Sequence, residues 1–557
     1  MTEAVAVAPG ATEAAQAPPT GGRWTGIIVL TVSVILTLIY FVVRALDRGQ
    51  DWSFDSHANH NVYAYATVFE RDRLGDRPLA FGTYLNPVLD LPLGWGVRHL
   101  HPRLVTAGLA AVQGLTIAAA ALLPWNLATG RIVPIVDDRV RAKAIMCWGG
   151  AYLLAVVVAF GAIGRIELGA TFGDLTSALP AIFGVHALLW WTRHRSDRYL
   201  FAAGALFATS FAFKYTNGPG LLGALVFVGA VDALTTSGQT RVVASARSVG
   251  RMLIGVGAGL LVMVGPWWAW LTIRFGNPLF PFGGQRLNDE FTTVDGGYLD
   301  VGAHRFVIRS ASEFIGEPAR LLRLTTAVTE LPIRDPRLFL SAVSCVIILV
   351  VTVARWRRDQ PFEPTYAGLA IAWCAIYSSW AFAFGNGRYL QLLELLTPAL
   401  LTAAALTLLG RPRAVHPRPL LFAPLVLAAA IAVPMTVSPD LGHVPFGDRW
   451  YDFDLSGVPT LDDAMVIVPY EFEPLDFAIF VLEPDEFVRL HQPLLSTRYA
   501  DSERARVAAF TGPVYSFQAS DAGDANLATV GLFRTGRCID IPADQGFSYS
   551  LCELERR

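Results

Sequence analysis

The sequence predicts a mainly α-helical fold, a polytopic transmembrane helical bundle of about eleven spans with a C-terminal extracytoplasmic α/β domain. Composition is the first observation behind this prediction. Of 557 residues, 53% are hydrophobic and 16% are charged, whereas soluble proteins are about a quarter charged. The mean hydropathy of +0.43 agrees. Uncharged runs long enough to cross a bilayer also recur along the chain, and polar residues collect between and after them.

Apolar windows of about 20 residues place the individual spans. The predicted spans are 24–46, 103–125, 144–164, 176–192, 199–214, 221–236, 252–273, 338–355, 367–384, 391–409 and 420–437. Residues 1–23, rich in Ala, Pro and Thr, are predicted to be a disordered cytoplasmic tail. The transmembrane domain is predicted over 24–437, with long external loops at 47–102 and 274–337.

Basic residues predict the orientation, because Arg and Lys in short connections favour the cytoplasmic side. Clusters of them follow every even-numbered span, as in Arg193, Arg195 and Arg198 after the fourth. We therefore expect a cytoplasmic N-terminus and an extracytoplasmic C-terminal domain. High Ala, Arg and Gly with few Lys indicate a GC-rich bacterium, hence the inner (plasma) membrane. The net charge of −2 gives no indication of a nucleic-acid partner.

Residues 438–557 are predicted to form a soluble α/β domain, since short apolar runs alternate there with polar stretches. Predicted strands are Ala464–Val468, Phe477–Val481 and Thr529–Phe533, and a helix is predicted over Asp501–Ala509. Cys538 and Cys552 lie in this domain. A disulfide between them is an open possibility if the domain is outside the cytoplasm.

The first external loop carries many charged residues between two spans. It includes DWSFDSHANHNVYAYATVFERDRLGDRP, which begins at Asp51. Polar residues packed this closely at a membrane face predict a reaction or binding site open to water. The polar material gathers at one face and no internal repeat is visible, which argues against a transporter built from repeated halves.

This loop, the many spans, the second long loop and the C-terminal domain together resemble the GT-C superfamily of membrane glycosyltransferases. The segment RFGNPLFPF at 274–282 is similar to bacterial, actinobacterial-type members. The resemblance implies a polyprenyl-phosphate sugar as donor, a catalytic acid in the first external loop and inversion at the anomeric carbon. The acceptor would be an envelope glycan, lipid or protein, so the setting would be cell-envelope assembly.

An acceptor hydroxyl is a weak nucleophile, so a carboxylate must accept its proton as the new bond forms. Asp55 is the candidate base because it lies deeper in the loop than Asp51, which is the reserve candidate. The alternative for Asp55 is a cap of a helix beginning near Ser56, since Asp is a favoured cap residue.

A leaving lipid phosphate needs cations at the lipid boundary. The candidates are His57, Lys214 and Arg388. Lys214 ends an apolar span, and its alternative is to extend its amine to the interface. Arg388 lies in a short turn between two spans, while His57 has the alternative of belonging to a solvated loop.

Further candidates for substrate binding are His60, Asp174 and Asn277. Asp174 has the alternative of capping the fourth span. The DFD triplet at Asp452 and Asp454 matches the DxD of metal-dependent sugar transferases, but a turn or surface role is the better interpretation. We expect no cofactor and no required metal.

Two other functions remain open from sequence alone. A transporter or flippase of lipid-linked glycans would need the cations but no proton acceptor. A non-catalytic envelope assembly protein would depend on residues 438–557 and tolerate changes in the first loop.

Overall fold

The computed structural model describes residues 20–58, 60–69, 84–133, 141–236, 240–280, 306–329, 331–409, 422–440, 442–469, 475–490, 497–519, 523–543 and 548–557. Most of the predicted tail, the charged part of the first loop (70–83) and residues 281–305 of the second loop lie outside the described residues.

The first half of the membrane part begins with a long helix, followed by the short elements of the first loop. These elements are α1 (Thr20–Arg48), β1 (Gln50–Asp51), α2 (Phe54–Ala58), α3 (His60–Phe69), α4 (Asp90–His99), α5 (Pro102–Ala121), α6 (Leu123–Thr129), α7 (Arg141–Ala159), α8 (Ala162–Glu167), α9 (Asp174–His194), α10 (Asp197–Phe213) and α11 (Gly218–Thr235).

The second half is again helical. Its elements are α12 (Thr240–Met263), α13 (Gly265–Phe275), α14 (Ala311–Arg320), α15 (Arg337–Trp356), α16 (Pro364–Ala383), α17 (Gln391–Leu409) and α18 (Ala423–Met435), with 3-10 turns at Tyr215–Asn217 and Gly387–Leu390.

Every predicted span coincides with a helix, as a chain in hydrocarbon requires, because its backbone groups must be satisfied internally. Within the described residues, eight helical segments are long and apolar enough to cross a membrane. Two shorter apolar helices, Ile145–Ala159 and Ala423–Met435, match two more predicted spans. The remaining span, 199–214, is the 17-residue helix α10. The predicted mainly α, multi-pass membrane fold is confirmed.

Helix α10 packs closely against α12, which fixes the position of the residue at its C-terminal end. A Cβ at Gly204 would lie 2.2 Å from the backbone oxygen of Met252, and one at Gly255 would lie 2.2 Å from that of Phe201. Small residues of this kind let membrane helices approach backbone to backbone. Lys214, directly after α10, is therefore held by a rigid helix pair.

The C-terminal part contains a five-stranded mixed sheet in the order β4-β3-β5-β7-β6. Its strands are β3 (Met465–Val468), β4 (Glu486–Arg489), β5 (Val514–Gln518), β6 (Leu532–Pro542) and β7 (Ser548–Arg556), and its helices are α19 (Ala478–Val481), α20 (Thr497–Ala509) and α21 (Asp524–Thr529). Strand β3 pairs in parallel with β4 and β5, while β7 pairs antiparallel with β5 and β6.

Two predicted strands of this domain need correction. The run 477–481 is a helical turn, since the backbone N–H of Leu482 bonds to the oxygen of Ala478. Short apolar runs do not distinguish a buried strand from a buried helix. Thr529 ends α21, and the strand predicted at 529–533 begins only at Leu532. The predicted strand at 464–468 and helix at 501–509 are both present.

The pairing of Cys538 with Cys552, left open by the sequence, is present as a disulfide. The two cysteines face each other on the antiparallel neighbours β6 and β7. The bridge therefore joins strands that are already adjacent.

The first loop is anchored to the C-terminal part at several points. Strand β1 pairs antiparallel with β2 (His443–Val444). The hydroxyl of Tyr451 donates to the backbone oxygen of Ser56 at 2.5 Å. Side chains of α3, including Val62 and Tyr63, belong to the same buried apolar cluster as Phe477 and Phe517. The first loop thus shares a core with the domain that follows the last membrane helix.

Candidate functional site

Lys214 and Asp174 form an ion pair at the membrane face that carries the first loop. The Lys214 amine lies 2.5 Å from Asp174 Oδ1, and the two side chains are 9% and 3% exposed. The same amine donates to the backbone oxygen of Phe172 at 2.8 Å and lies 5.7 Å from the ring centroid of Tyr389. The predicted alternative of a lysine reaching out to the interface does not describe this buried position.

Arg388 joins the same group of charges. Its Nη2 lies 2.5 Å from Asp55 Oδ2 and 3.6 Å from Asp174 Oδ2. Its Cζ lies 4.2 Å from the ring centroid of Phe172, so an aromatic face covers the guanidinium. The 3-10 turn Gly387–Leu390 positions it, with Asn386 Oδ1 accepting the Arg388 backbone N–H. Asp55, Asp174, Lys214 and Arg388 are called the charged cluster below.

Local structure explains why the two acids point into the charged cluster. Asp55 is the second residue of α2, so it is not the N-cap that the alternative predicted. Asp174 begins α9, where a negative charge is stabilised by the helix dipole. Its N-cap residue, Gly173, makes no side-chain capping bond. Both carboxylates are therefore available to the two cations.

Some polar atoms of the charged cluster have no hydrogen-bond partner among the described residues. They are Arg388 Nε and Asp174 Oδ2, and both are buried. Buried polar groups are normally satisfied, so such atoms call for an explanation. One explanation is a polar group of a ligand that the protein binds here.

Glu167 lies directly behind the charged cluster. Its Oε2 accepts the backbone N–H of Leu175 at 2.7 Å, and its Oε1 lies 3.4 Å from Gln391 Nε2. Burial, followed by the negative charge of Asp174, raises the pKa of Glu167 well above its usual value. This favours the protonated acid. With Glu167 protonated, the two acids and two cations of the charged cluster balance.

The Asp51 carboxylate has a structural role, because it accepts hydrogen bonds that hold the first loop in place. Its Oδ2 accepts both the backbone N–H and the hydroxyl of Thr171 at 2.8 Å, and its Oδ1 accepts the Ser53 N–H at 2.9 Å. These bonds hold the first loop against the segment that leads to Asp174.

His57 lies between the loop and the C-terminal domain. Its Nδ1 is 2.8 Å from the backbone oxygen of Ser53, and its ring packs edge-on against Trp52 and Phe477 at 4.1 and 5.1 Å between centroids. Burial lowers its pKa to about 4. A neutral imidazole does not supply the cation that the sequence predicted for the donor phosphate.

The remaining predicted residues contribute little to this picture. His60 begins α3, but its side chain lies outside the described residues. Asn277 is buried and closes a turn, with its Oδ1 accepting the Leu279 N–H at 2.9 Å. In the DFD triplet, Asp452 accepts the Asp448 N–H and Asp454 accepts the Ser456 N–H, which are turn bonds. The described residues contain no cluster of three or more metal-ligating side chains.

Comparison with known proteins extends the description of the fold. No protein-family model and no curated protein matches the sequence. Among solved structures, Cupriavidus metallidurans ArnT bound to undecaprenyl phosphate superposes with a TM-score of 0.51 at 15% identity, covering 95% of this chain and 98% of that one. Apo ArnT gives 0.48 at 14% identity over the same fractions. The apo oligosaccharyltransferase of Archaeoglobus fulgidus gives 0.45 at 12% identity, covering 90% and 70%.

Of these, the ArnT complex is similar enough to support a shared fold, and it does so along nearly the full length of both chains. The chain therefore shares the fold of this ArnT structure, a polytopic fold of the kind that the GT-C resemblance of its sequence predicted.

Proposed function

We propose that this chain is a GT-C glycosyltransferase that moves a sugar from a polyprenyl-phosphate donor to an acceptor hydroxyl of an envelope glycan, lipid or protein. The main observation that supports this proposal is the charged cluster, in which Lys214 and Arg388 form ion pairs with Asp55 and Asp174 at one membrane face. The ArnT structure with the matching fold holds undecaprenyl phosphate, which supports a lipid phosphate as the ligand of such cations.

Asp55 is the proton acceptor in this proposal. Its carboxylate takes the proton of the acceptor hydroxyl while the oxygen bonds to the anomeric carbon. The bond between that carbon and the phosphate oxygen breaks, and the lipid phosphate leaves with the electron pair. A single displacement of this kind inverts the anomeric centre.

Arg388 and Lys214 stabilise the leaving phosphate. Charge-assisted hydrogen bonds to phosphate are among the strongest available to a protein, and a buried setting strengthens them further. A bound phosphate competes with Asp55 for Arg388, which releases the carboxylate from its ion pair. Donor binding would thereby prepare the base for the acceptor. No step in this scheme requires a metal or a cofactor.

The proposed setting is a bacterial inner membrane, with the charged cluster and residues 438–557 on the extracytoplasmic side. The basic connections after even-numbered spans support this orientation. The disulfide between Cys538 and Cys552 also fits an oxidising compartment.

The decisive experiment compares wild type, Asp55→Asn and Asp47→Asn as purified proteins of equal fold. Asp47 is a matched control, because it is an exposed acid on the last turn of α1. Each protein is incubated with extracted polyprenyl-phosphate sugars and envelope acceptors, and release of polyprenyl phosphate is measured. We expect Asp55→Asn to lose activity by about 10²-fold or more, with Asp47→Asn unaffected.

Equal turnover by Asp55→Asn and wild type would exclude Asp55 as the base and direct attention to Asp174. If wild type and Asp55→Asn both fail to turn over a donor, but both move lipid-linked glycans across the membrane of vesicles, the transporter function is favoured instead.

A further inference from the structure

A cavity lies among α1, α7 and α18, and it is separate from the charged cluster. Its volume is about 930 Å³, within the range of ligand pockets. The residues of α1 that line it extend from Ser33 to Arg48, a rise of roughly 22 Å along a helix. None of the four residues of the charged cluster lines it. The cavity is long enough to hold an extended chain.

The walls of this cavity are apolar, and one side opens outward. Phe41 and Phe160 pack edge to face at 4.7 Å between centroids and form part of the wall. Leu36, Leu153 and Val433 also line it, and each is more than half exposed. Exposed apolar side chains on membrane helices face hydrocarbon, so the opening faces the bilayer.

One end of the cavity is strongly basic. Arg44, Arg48 and Arg165 line it, together with one acid, Asp440. Arg44 pairs with Asp47, which is not in the lining, at 3.1 Å, so these three arginines and two acids leave an excess of one positive charge. Arg48 Nη2 lies 3.4 Å from Asp440 Oδ1. That same oxygen is also 2.5 Å from His443 Nδ1, so the single acid in the lining is shared.

Arg165 is the exceptional residue of this basic end. Its guanidinium makes no ion pair or hydrogen bond with any residue in the part of the chain that the structure describes. Its described contact is with the ring of Phe160, 5.8 Å from Cζ to centroid. An arginine is always charged and presents five donors. Arg165 therefore supplies unused donors where an apolar cavity meets the membrane face.

We propose that this cavity binds an anionic phospholipid of the surrounding bilayer, with its phosphate at Arg165 and Arg48 and an acyl chain between α1 and α7. A donor or acceptor lipid must reach Asp55, whereas the basic end of this cavity shares no lining residue with the charged cluster. The bound lipid is therefore not a reactant. The conclusion that the lipid is not a reactant rests on the proposed transferase activity, whereas its binding in this cavity does not.

The test is native mass spectrometry on the purified full-length protein, freed of co-purified lipid and titrated with phosphatidylglycerol or phosphatidylcholine of identical acyl chains. Wild type should bind phosphatidylglycerol about tenfold more tightly. Arg165→Gln should lose most of that preference. Arg103→Gln is the matched control, because Arg103 also contacts an aromatic ring, that of Phe446, but does not line the cavity.

A second pair of variants tests the apolar part without changing charge. Gly149 lines the cavity and Gly150 does not, and a Cβ at either position meets no atom within 4 Å. Gly149→Phe should reduce phosphatidylglycerol binding several-fold, while Gly150→Phe should not. Both proteins are expected to fold, since neither position is crowded.

Three results would overturn the proposal. They are equal binding of the two phospholipids by wild type, undiminished phosphatidylglycerol binding by Arg165→Gln, and equal effects of the two glycine variants. Undecaprenyl phosphate is added as a competitor in a separate titration. If it displaces phosphatidylglycerol at lower concentration than phosphatidylglycerol itself, the occupant is a carrier lipid and the assignment to a bilayer phospholipid is wrong.

Discussion

Asp55 and Arg388 are separated by 333 residues in the sequence and by 2.5 Å in the structure. One lies just after the first membrane helix and the other just before the last long one. Their pairing brings the candidate base and a candidate phosphate ligand into one group. It also means that each side chain loses one ion-pair partner when the other is changed.

The first prediction concerns Arg388. Arg388→Gln should weaken binding of polyprenyl phosphate by about tenfold or more, because it removes a charge-assisted bond to the phosphate. Arg388→Lys keeps the charge but not the planar fork, so it should recover part of the affinity. The measurement is equilibrium binding of polyprenyl phosphate in nanodiscs.

Removing Arg388 also takes a cationic partner from Asp55 in a buried site, and breaking a buried pair costs about 3–5 kcal/mol. Thermal unfolding must therefore accompany each binding measurement. Unchanged phosphate affinity in a folded Arg388→Gln protein would show that this arginine does not contact the donor.

The second prediction separates structure from binding at Lys214. In a double-mutant cycle with Asp174→Asn and Lys214→Gln, the double variant should lose less stability than the sum of the two single losses, with a coupling of about 0.5–3 kcal/mol. Affinity for polyprenyl phosphate should fall whenever Lys214 is replaced, with or without Asp174→Asn. A loss of affinity seen only in the single variant would mean that Lys214 acts through folding alone.

The third prediction assigns Asp51 to the scaffold. Asp51→Asn removes the negative charge from the acceptor of both Thr171 bonds, and its amide nitrogen can accept from neither Thr171 nor Ser53. We expect a loss of about 1–3 kcal/mol in the free energy of unfolding. Turnover per folded molecule should fall much less than in Asp55→Asn. A hundredfold loss of turnover with unchanged stability would instead support Asp51 as the base.

The fourth prediction is a pH dependence from His57. Its pKa is lowered to about 4 in the folded protein from 6.5 in the free side chain. Between these values the unfolded chain binds more protons, so the free energy of unfolding decreases as the pH falls from about 6.5 to about 4. The full contribution is on the order of 3 kcal/mol.

The measurement is the thermal midpoint in detergent at pH 7.5 and pH 5.0. His57→Phe keeps an aromatic ring against Trp52 and Phe477 but does not titrate, so it should show a smaller decrease than wild type. Parallel decreases in the two proteins would assign the pH dependence to other groups.

The fifth prediction concerns the disulfide. Closing a loop with a sequence separation of 14 should stabilise the C-terminal domain by about 3 kcal/mol. Cys538→Ser/Cys552→Ser should therefore lower its unfolding midpoint, and a reductant should lower that of wild type alone. Alkylation in intact cells, followed by mass mapping, also reports the compartment. Full reduction in cells would contradict the proposed extracytoplasmic location.

The membrane helices were predictable because a helix that crosses the hydrocarbon core needs about 20 consecutive, mainly apolar residues. Helix α15 was predicted this way, yet the sequence does not distinguish its first residue, Arg337, from other polar residues near the second long loop. Arg337 is buried and bonds to Asp335 and to the backbone oxygens of Val158 and Phe160. Asp335 is two residues away, but Val158 and Phe160 come from a distant part of the chain, and no local pattern identifies them.

The candidate site was predicted residue by residue but not as a group. Asp174 and Lys214 were singled out by a charge at the end of an apolar run, Arg388 by its place in a short turn between spans, and Asp55 by its depth in the first loop. Which charges meet depends on helix packing, so Asp174 was predicted only as a substrate-binding residue or a cap, and His57 was grouped with the cations. Glu167 was visible as an acid between spans, but only its burial shows that it lies behind the charged cluster.

The strand pair between β1 and β2 has a consequence for protein engineering. Residues 50–51 complete a ribbon with residues 443–444, and α3 supplies Val62 and Tyr63 to the core of the soluble domain. A chimera that exchanged only residues 438–557 would lose the native contacts of Val62 and Tyr63 with that core, and Asp55 would no longer be held in position. The first loop and the soluble domain thus form one transplantable module, although the whole membrane bundle separates them in sequence.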